Sequence, residues 1–477
     1  MIALSLLACI ISAPVAVVDV AVEVGDGTRL ERATVIFDGP AITAVGVDLA
    51  VPVGARRIEG QGKVLSPGLV AAGSQLGLFE IGLEASAVDD AMNGAATPGF
   101  RAGDGFNPLS PHIAVDREEG VTSVVLSPGG AKLLSGQAFV VELGSRLDSL
   151  PDLNKPVAVF GAFDGYVAES FGGSRGSLLL ALREIFEDVR FYKANKAAFD
   201  KGASRALALS PTHLRALFPV VDGKVPLVVK VDRAADIRAL LAFAKEQKLK
   251  LVVEGGVEAW LVGAELRAAG VPVIVHPSQS GVKSFDALHA RDDLAAVLHS
   301  QGVVVVISSW DSQNGTSRVR QEAGIAVQNG LPHAVAVAAI TSGPAALFGG
   351  ARGSSVVQKG GRSSLVLWSG DPLEALTLAE QIWVGGVEIT APSRERLLAE
   401  KYRPKTFQMP KSNTPVMVNA GAKKRADGAF FLHFEAISVL RNSSPKLRFS
   451  EGRCSSPLGP KALAPSVHKP SPSPKSV

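Results

Sequence analysis

The sequence predicts an α/β fold: a (β/α)8 TIM-like barrel with a small composite β-sandwich domain and a disordered basic tail at the C-terminus. Three observations lead to this prediction. Short β-branched runs alternate with longer helical patterns between about residues 65 and 350, strand-like segments flank that region, and the last residues are rich in Pro, Ser and Lys. A length of 477 residues can hold one large barrel with additional segments.

Histidine and cysteine are scarce in this chain, which limits the metal chemistry it can support. It has eight histidines, and no two of them have H-x-H or H-E-x-x-H spacing. Its two cysteines, Cys9 and Cys454, lie near opposite ends, which excludes a disulfide scaffold, a zinc ribbon and C-x-x-C chemistry. Any metal site would therefore have to be assembled from scattered residues.

The first element, residues 1–16, is uncharged and mostly apolar, and two interpretations stay open. Small residues at Ala13 and Ala16 fit a cleaved signal peptide, with Cys9 as a lipoprotein-type alternative, and hence a periplasmic or lipid-anchored protein. The lack of a preceding basic residue, and the interruption at Pro14, favour instead a buried first strand in a cytoplasmic protein.

Strand-like segments come before and after the barrel region, in residues 17–64 and 351–402. Turn residues such as Asp38-Gly39 and Gly385-Gly386 separate them. Since the two ends of a domain often lie together, we expect both flanks to form one β-sandwich. The segments are 15–24, 33–39, 41–46, 56–65, 363–368 and 382–390.

The barrel region, residues 65–350, contains strand-like runs that are almost continuously apolar. That pattern is typical of parallel strands buried on both faces, and helical patterns over 234–247, 257–270 and 284–300 separate several of them. An open doubly wound sheet is the alternative, but no G-x-G-x-x-G or P-loop supports it. The runs are 121–126, 156–160, 225–231, 250–254, 271–275 and 303–307.

The last segment, residues 403–477, differs in charge from the rest of the chain. Residues 401–477 hold 14 Lys and Arg against 3 acids, a net charge of +11, so the total of +4 leaves the other 400 residues at −7. We expect a disordered, solvated tail, with contact to an anionic surface as the alternative. The acidic body predicts no nucleic-acid partner for the barrel.

Several local motifs of this chain resemble those of the amidohydrolase superfamily, most closely its imidazolonepropionase- and dihydroorotase-like branch. The resemblance covers about residues 15–395, and it implies a hydrolase of non-peptide, cyclic amide-type C–N bonds that uses zinc or another divalent metal. The motifs are G-D-G at 25–27, A-T-V-I-F-D-G-P-A-I-T-A-V-G at 33–46, V-P-V-G-A-R-R-I-E-G-Q-G-K-V-L-S-P-G-L-V at 51–70, E-G-V-T-S-V-V-L-S-P-G at 119–129, A-I-T-S-G-P-A-A-L-F-G at 339–349 and L-V-L-W-S-G-D-P at 365–372.

The metal-ligand positions implied by this resemblance are where the chain departs from the family. The H-x-H that ends the first barrel strand is matched by Gly73 and Gln75, and the histidine of a later L-E-H-G motif is matched by Gly255. Glycine has no side chain, and a glutamine amide is a poor zinc ligand. We therefore expect no cofactor from these positions, whereas the family's catalytic aspartate on the last strand is matched by Asp311.

Polar side chains stand at the predicted C-terminal ends of the barrel strands, where barrel enzymes place their active sites. One interpretation is a substrate-binding constellation, in which Asp311 is the catalytic general base. The other is a relic mouth whose charges pair with one another, such as Lys230 with Asp232 or Glu254. The residues at these ends are Ser74, Gln75, Lys230, Asp232, Glu254, His276 and Asp311.

The sequence thus predicts an amidohydrolase-type protein that acts on C–N bonds of small molecules, with metal-dependent catalysis impaired or lost. The alternative is a pseudoenzyme, a non-catalytic binding or structural protein that keeps the barrel. The expected partner is a small-molecule ligand, and no feature of the sequence indicates an oligomeric state.

Overall fold

The structure is a computed structural model that describes residues 13–144, 149–202, 205–279, 281–310, 313–349 and 356–403. All of them belong to the first of two units, residues 1–405, and the second unit spans 406–477. Most of the predicted signal segment, almost all of the predicted tail and Asp311 lie outside the described residues. Across the described residues, no helix combines the length and apolar character needed to cross a membrane.

A composite eight-stranded sheet combines strands from both flanks of the chain. Its strand order is β16-β15-β14-β5-β1-β2-β3, and β4 pairs with β1. The strands are β1 (Val15–Glu23), β2 (Arg29–Asp38), β3 (Ala41–Gly46), β4 (Arg56–Glu59), β5 (Val64–Pro67), β14 (Leu365–Trp368), β15 (Ala379–Val384) and β16 (Val387–Glu388).

The two flanks join where β5 and β14 pair antiparallel, from Leu365 opposite Pro67 to Trp368 opposite Val64. The Trp368 indole N–H, fully buried, donates a hydrogen bond of 2.8 Å to the Ser66 hydroxyl on β5. These contacts fix the C-terminal strands to the N-terminal ones. The predicted composite β-domain is thereby confirmed, and its exact boundaries stay predictions.

A second eight-stranded sheet, in the order β6 to β13, forms the nearly closed barrel. Its strands are β6 (Leu69–Ser74), β7 (Val121–Leu126), β8 (Gly136–Glu142), β9 (Ala158–Ala162), β10 (Leu227–Val231), β11 (Leu251–Gly255), β12 (Val273–Val275) and β13 (Val305–Ile307). The predicted barrel is confirmed, with one difference: β8 runs antiparallel to both β7 and β9. The short connection between β7 and β8 explains this, because a parallel crossover needs a dozen or more residues.

Helices cover the outside of the barrel and form the remaining connections. The predicted helix 234–247 is present, whereas only 263–269 and 294–300 are α-helical in the other two predicted regions. The helices are α1 (Pro111–Glu118), α2 (Gly165–Glu169), α3 (Arg175–Asp200), α4 (Pro211–Ala216), α5 (Phe218–Val221), α6 (Ala234–Gln247), α7 (Gly263–Ala269), α8 (Leu294–Ser300), α9 (Val319–Gln328), α10 (His333–Ala339), α11 (Ser342–Phe348) and α12 (Arg394–Tyr402).

The barrel interior is filled by one apolar cluster that includes Val228, Val252 and Ile274 from three neighbouring strands. Near the N-terminal ends of the strands, Phe348 from α11 stacks on Phe160 with ring centroids 6.3 Å apart. Because side chains alternate along a strand, the residues two positions after each interior residue also point inward. At the C-terminal ends of the strands, these inward-pointing residues are charged, and they line the candidate site.

Candidate functional site

Two adjoining cavities open at the C-terminal mouth of the barrel, and Lys230 and Glu254 line both of them. Cavity A has a volume of about 200 Å³, and its other lining residues include Gly73 and Ser127. Cavity B has a volume of about 260 Å³, and its other lining residues include Asp232, His276 and Trp310. In the register of β10 and β11, Lys230 lies directly opposite Glu254.

The structure brings most of the predicted site residues together at these cavities. Gln75 lines cavity A, Asp232 and His276 line cavity B, and Lys230 and Glu254 lie between the two. Ser74 lines neither cavity: it is fully buried, and its hydroxyl forms a 2.8 Å hydrogen bond with the Thr316 hydroxyl. Ser74 therefore anchors the chain beyond the last strand.

His276 and Glu254 form a pair in the wall of cavity B. The Glu254 carboxylate lies 3.7 Å from His276 Nε2, and the Ser308 carbonyl oxygen lies 3.0 Å from His276 Nδ1. Burial alone would lower the pKa of His276, but Glu254 and the Ser308 carbonyl outweigh that effect and raise the pKa. The imidazole is therefore protonated over a wider pH range than a free histidine.

The Asp232 carboxylate occupies the space that a side chain at position 255 would need. A Cβ on Gly255 would come within 2.5 Å of Asp232 Oδ1, and Gly255 has a φ of +82°. Asp232 Oδ1 accepts a hydrogen bond of 3.3 Å from the Val257 N–H. Burial raises the pKa of Asp232, although that hydrogen bond and the charges of Lys230 and His276 oppose the change.

Lys230 forms neither of the ion pairs that a relic mouth predicts. Among the described residues, no carboxylate lies within ion-pair distance of its ammonium, and no acceptor lies within hydrogen-bonding distance. Glu254 instead turns to His276, and Asp232 receives the Val257 N–H. A solvent-accessible cation is thus left unpaired inside the barrel mouth.

The described residues do not fit the metal that the superfamily uses. No three His, Cys, Asp or Glu side chains within the described part of the chain are grouped so that they can hold a metal ion. Gly73, at the first expected histidine position, has a φ of +98°, which strains any side chain placed there. Gly255, at a later one, leaves its space to Asp232.

Sequence reasoning missed two residues of the mouth, Ser127 and Gln313. Ser127 follows β7 directly, so the same strand-end argument that selected Lys230 identifies it in retrospect. Gln313 lines cavity A from a loop that no sequence pattern marks. Trp310, which follows β13 at the start of the mouth loop, lines cavity B and is 47% exposed.

One buried and one partly buried hydrogen bond anchor the segment that follows the mouth loop after β13. Besides the Ser74–Thr316 contact, the Ser317 N–H donates a 2.9 Å hydrogen bond to the Asp116 carboxylate on α1. Burial raises the pKa of Asp116 to about 6, against the opposing hydrogen bonds from Ser317. Asp116 therefore helps to hold the segment after the mouth loop, and its carboxyl group titrates in the mildly acidic range.

Comparisons with known proteins support one family. No protein-family model matches the chain. The chain is 24% identical over 402 residues to "Amidohydrolase tasK" of Hapsidospora irregularis. The aligned region covers 77% of this chain and 41% of that protein. The chain thus spans less than half the length of this relative.

Among solved structures, an amidohydrolase from Thermotoga maritima MSB8 resembles this chain with a TM-score of 0.70 and 25% identity. The resemblance covers 79% of this chain and 99% of that one. Together with the motifs and the strand order, these similarities support the amidohydrolase superfamily as the family of this chain.

Proposed function

We propose that this protein hydrolyses amide-type C–N bonds of small molecules at the barrel mouth, with the metal-dependent catalysis of its superfamily impaired or lost. The observation that carries the proposal is the grouping of Asp232, Glu254 and His276 around cavity B. The amidohydrolase name of its relative and of the Thermotoga maritima protein supports the reaction class. A cavity of about 260 Å³ suits a ring of hydantoin or lactam size.

The residues of cavity B have distinct roles in this proposal. The His276 imidazolium, held by Glu254 and the Ser308 carbonyl, stabilises negative charge on the carbonyl oxygen of the substrate. Asp232, whose pKa burial raises, takes a proton from the attacking water and returns it to the leaving nitrogen. Water then supplies the hydroxyl on the carbonyl carbon as the C–N bond breaks.

The expected rate is far below that of a metal-loaded amidohydrolase. A bound zinc lowers the pKa of water from about 15.7 to about 7, and the described residues offer no site that would hold this ion. A carboxylate base acting on ordinary water is a much weaker source of nucleophile. The second candidate is therefore a binding protein without turnover, supported by the glycines at positions 73 and 255.

The test is hydrolysis by the full-length protein of a panel of lactams, hydantoins and N-acyl amino acids, followed by NMR in the presence of a metal chelator. We expect slow turnover that is lost in Asp232→Asn and His276→Gln. Asp200→Asn, which alters an exposed carboxylate paired with Lys196, is the control and keeps turnover. Saturable binding without turnover would establish the binding protein, and absence of both would overturn the proposal.

A further inference from the structure

Two lysines line the mouth cavities. Lys283 donates a hydrogen bond to the Gln279 amide oxygen in cavity B, whereas the Lys230 ammonium has no partner among the described residues. Glu254 directs its carboxylate to the imidazole of His276, 3.7 Å away. Asp232 accepts the Val257 N–H, and burial holds its pKa above the usual value. An accessible ammonium with no partner in a concave site attracts an anionic group of a ligand.

Cavity A offers neutral hydrogen-bonding groups around this ammonium. Ser127 is 3% exposed, and its hydroxyl has no hydrogen-bond partner among the described residues. Apart from Lys230, the only titratable side chain lining cavity A within the described residues is Glu254, which is already paired with His276. A cavity lined by both a hydroxyl and a cation is a suitable environment for a carboxylate, which accepts hydrogen bonds only.

Gly73 provides the space for such a group. A Cβ at this position would lie 3.7 Å from both Ser127 Oγ and a Phe160 ring carbon, so the backbone leaves the cavity open there. Its φ of +98° disfavours any residue with a side chain. The position at which the superfamily carries a metal-binding histidine is here part of the floor of cavity A.

We propose that Lys230 is the specificity determinant of this mouth: it binds a carboxylate of the substrate in cavity A while the amide bond lies in cavity B. This rests on the proposed function, because it assumes that cavity B receives the amide. The substrate class is then a cyclic or acylated amide that carries a free carboxylate, rather than a neutral lactam. Lys230 contacts the ligand and takes no part in proton transfer.

The test compares two ligands that differ only in charge: hydantoin-5-acetic acid and its primary amide. Calorimetric titration of the full-length protein at neutral pH is expected to show about tenfold tighter binding of the acid, the gain typical of a charge-assisted contact. Lys230→Met is expected to lower affinity for the acid about tenfold, leave the amide unchanged and so remove the preference. Lys230→Arg is expected to keep most of the preference.

The control is Lys250→Met, which removes an exposed lysine at the opposite end of the barrel and keeps the preference. The proposal is overturned if the wild-type protein does not prefer the acid, if Lys230→Met keeps the preference, or if neither compound binds. Turnover of acid and amide separates the two proposals. Binding preference without hydrolysis overturns only the catalytic function, whereas equal hydrolysis of both compounds overturns only the carboxylate site.

Discussion

The two ends of the barrel both combine lysines with a cavity, yet they differ in where the charges point. The N-terminal end has a cavity of about 960 Å³, larger than either cavity of the mouth, and Lys155 and Lys224 in its wall are 81% and 72% exposed. Its inner wall is apolar and includes Phe348. At the mouth, Lys230, Glu254 and His276 follow interior residues of their strands and point inward.

For this reason the proposed site lies at the mouth, although the cavities there are smaller. The lysines of the N-terminal end already have acidic partners. Lys155 lies 2.8 Å from Asp152 and Lys224 lies 3.8 Å from Asp222, so both offer a ligand less unbalanced charge than Lys230 does. Inward-pointing groups in a concave site are partly desolvated, and their pKa values shift, as those of Asp232 and His276 do. We therefore expect the N-terminal end to stabilise the barrel and the C-terminal end to carry the proposed chemistry.

The largest expected effect tests whether the N-terminal end is structural. Phe348→Ala removes a ring that is 3% exposed and stacked on Phe160, so we expect a loss of about 3–5 kcal/mol in the free energy of unfolding. Urea unfolding measures it. Phe285→Ala, at a ring that is 87% exposed, is the control and should cost less than about 0.5 kcal/mol. Equal costs would mean that Phe348 does not close the barrel.

The next effect concerns the support of the mouth and depends on pH. The folded pKa of Asp116 is about 6, above its usual 3.8, so its contribution to stability is present at low pH and is lost as pH rises through about 6. That loss corresponds to about 3 kcal/mol. Asp116→Asn, which still accepts the Ser317 N–H, should remove this part of the pH dependence.

Urea unfolding at a pH of about 4 and at neutral pH, which span most of the range between the two pKa values, compares Asp116→Asn with the wild-type protein. Asp200→Asn is the control, because that carboxylate is exposed and lies in an i, i+4 pair with Lys196. It should retain the pH dependence of the wild type. An Asp116→Asn profile identical to that of the wild type would show that Asp116 is not a strained anion at neutral pH.

A smaller effect tests the pair in cavity B. Glu254→Gln removes the carboxylate beside His276, so burial then dominates and the pKa of His276 should fall. Because a raised histidine pKa stabilises the fold below it, the variant should lose about 1 kcal/mol at mildly acidic pH and less at alkaline pH. Histidine ring NMR follows the titration, and an unchanged midpoint would contradict the pairing.

The smallest effect is expected at the lysines of the N-terminal end. Lys224→Met and Lys250→Met should each change the free energy of unfolding by less than about 0.5 kcal/mol, because both side chains are exposed. They should also leave ligand binding at the mouth unchanged. Weaker binding of the hydantoin acid in either variant would mean that the large cavity takes part in recognition.

Much of the barrel was predictable because its strands are buried on both faces and so read as continuous apolar runs. The run 121–126 coincides with β7, and 225–231 contains β10. The sequence did not predict β8 (Gly136–Glu142), because the segments before and after it have no helical pattern. β8 runs antiparallel because the loop before it is too short for a parallel crossover. The sequence does not show that β8 pairs with β7 and β9, and this pairing is seen only in the structure.

Only those residues of the candidate site that lie at the C-terminal ends of barrel strands could be predicted from the sequence. Lys230, Glu254 and His276 could be found because each lies two positions after an apolar interior residue. Which of them pair could not be predicted, since the choice of Glu254 between Lys230 and His276 depends on side-chain directions across three strands. Gln313 enters cavity A from an irregular loop, where no periodicity applies.

In the proposed function, the residues of the barrel mouth act without a bound metal ion. The most direct test of this point is the zinc content of the full-length protein after dialysis against excess zinc and then against metal-free buffer. Mass spectrometry of the metal, with Asp232→Asn and His276→Gln beside the wild type, is the measurement. The donor set of the described residues predicts far less than one retained zinc per chain. One tightly held zinc per chain, lost in either variant, would contradict it.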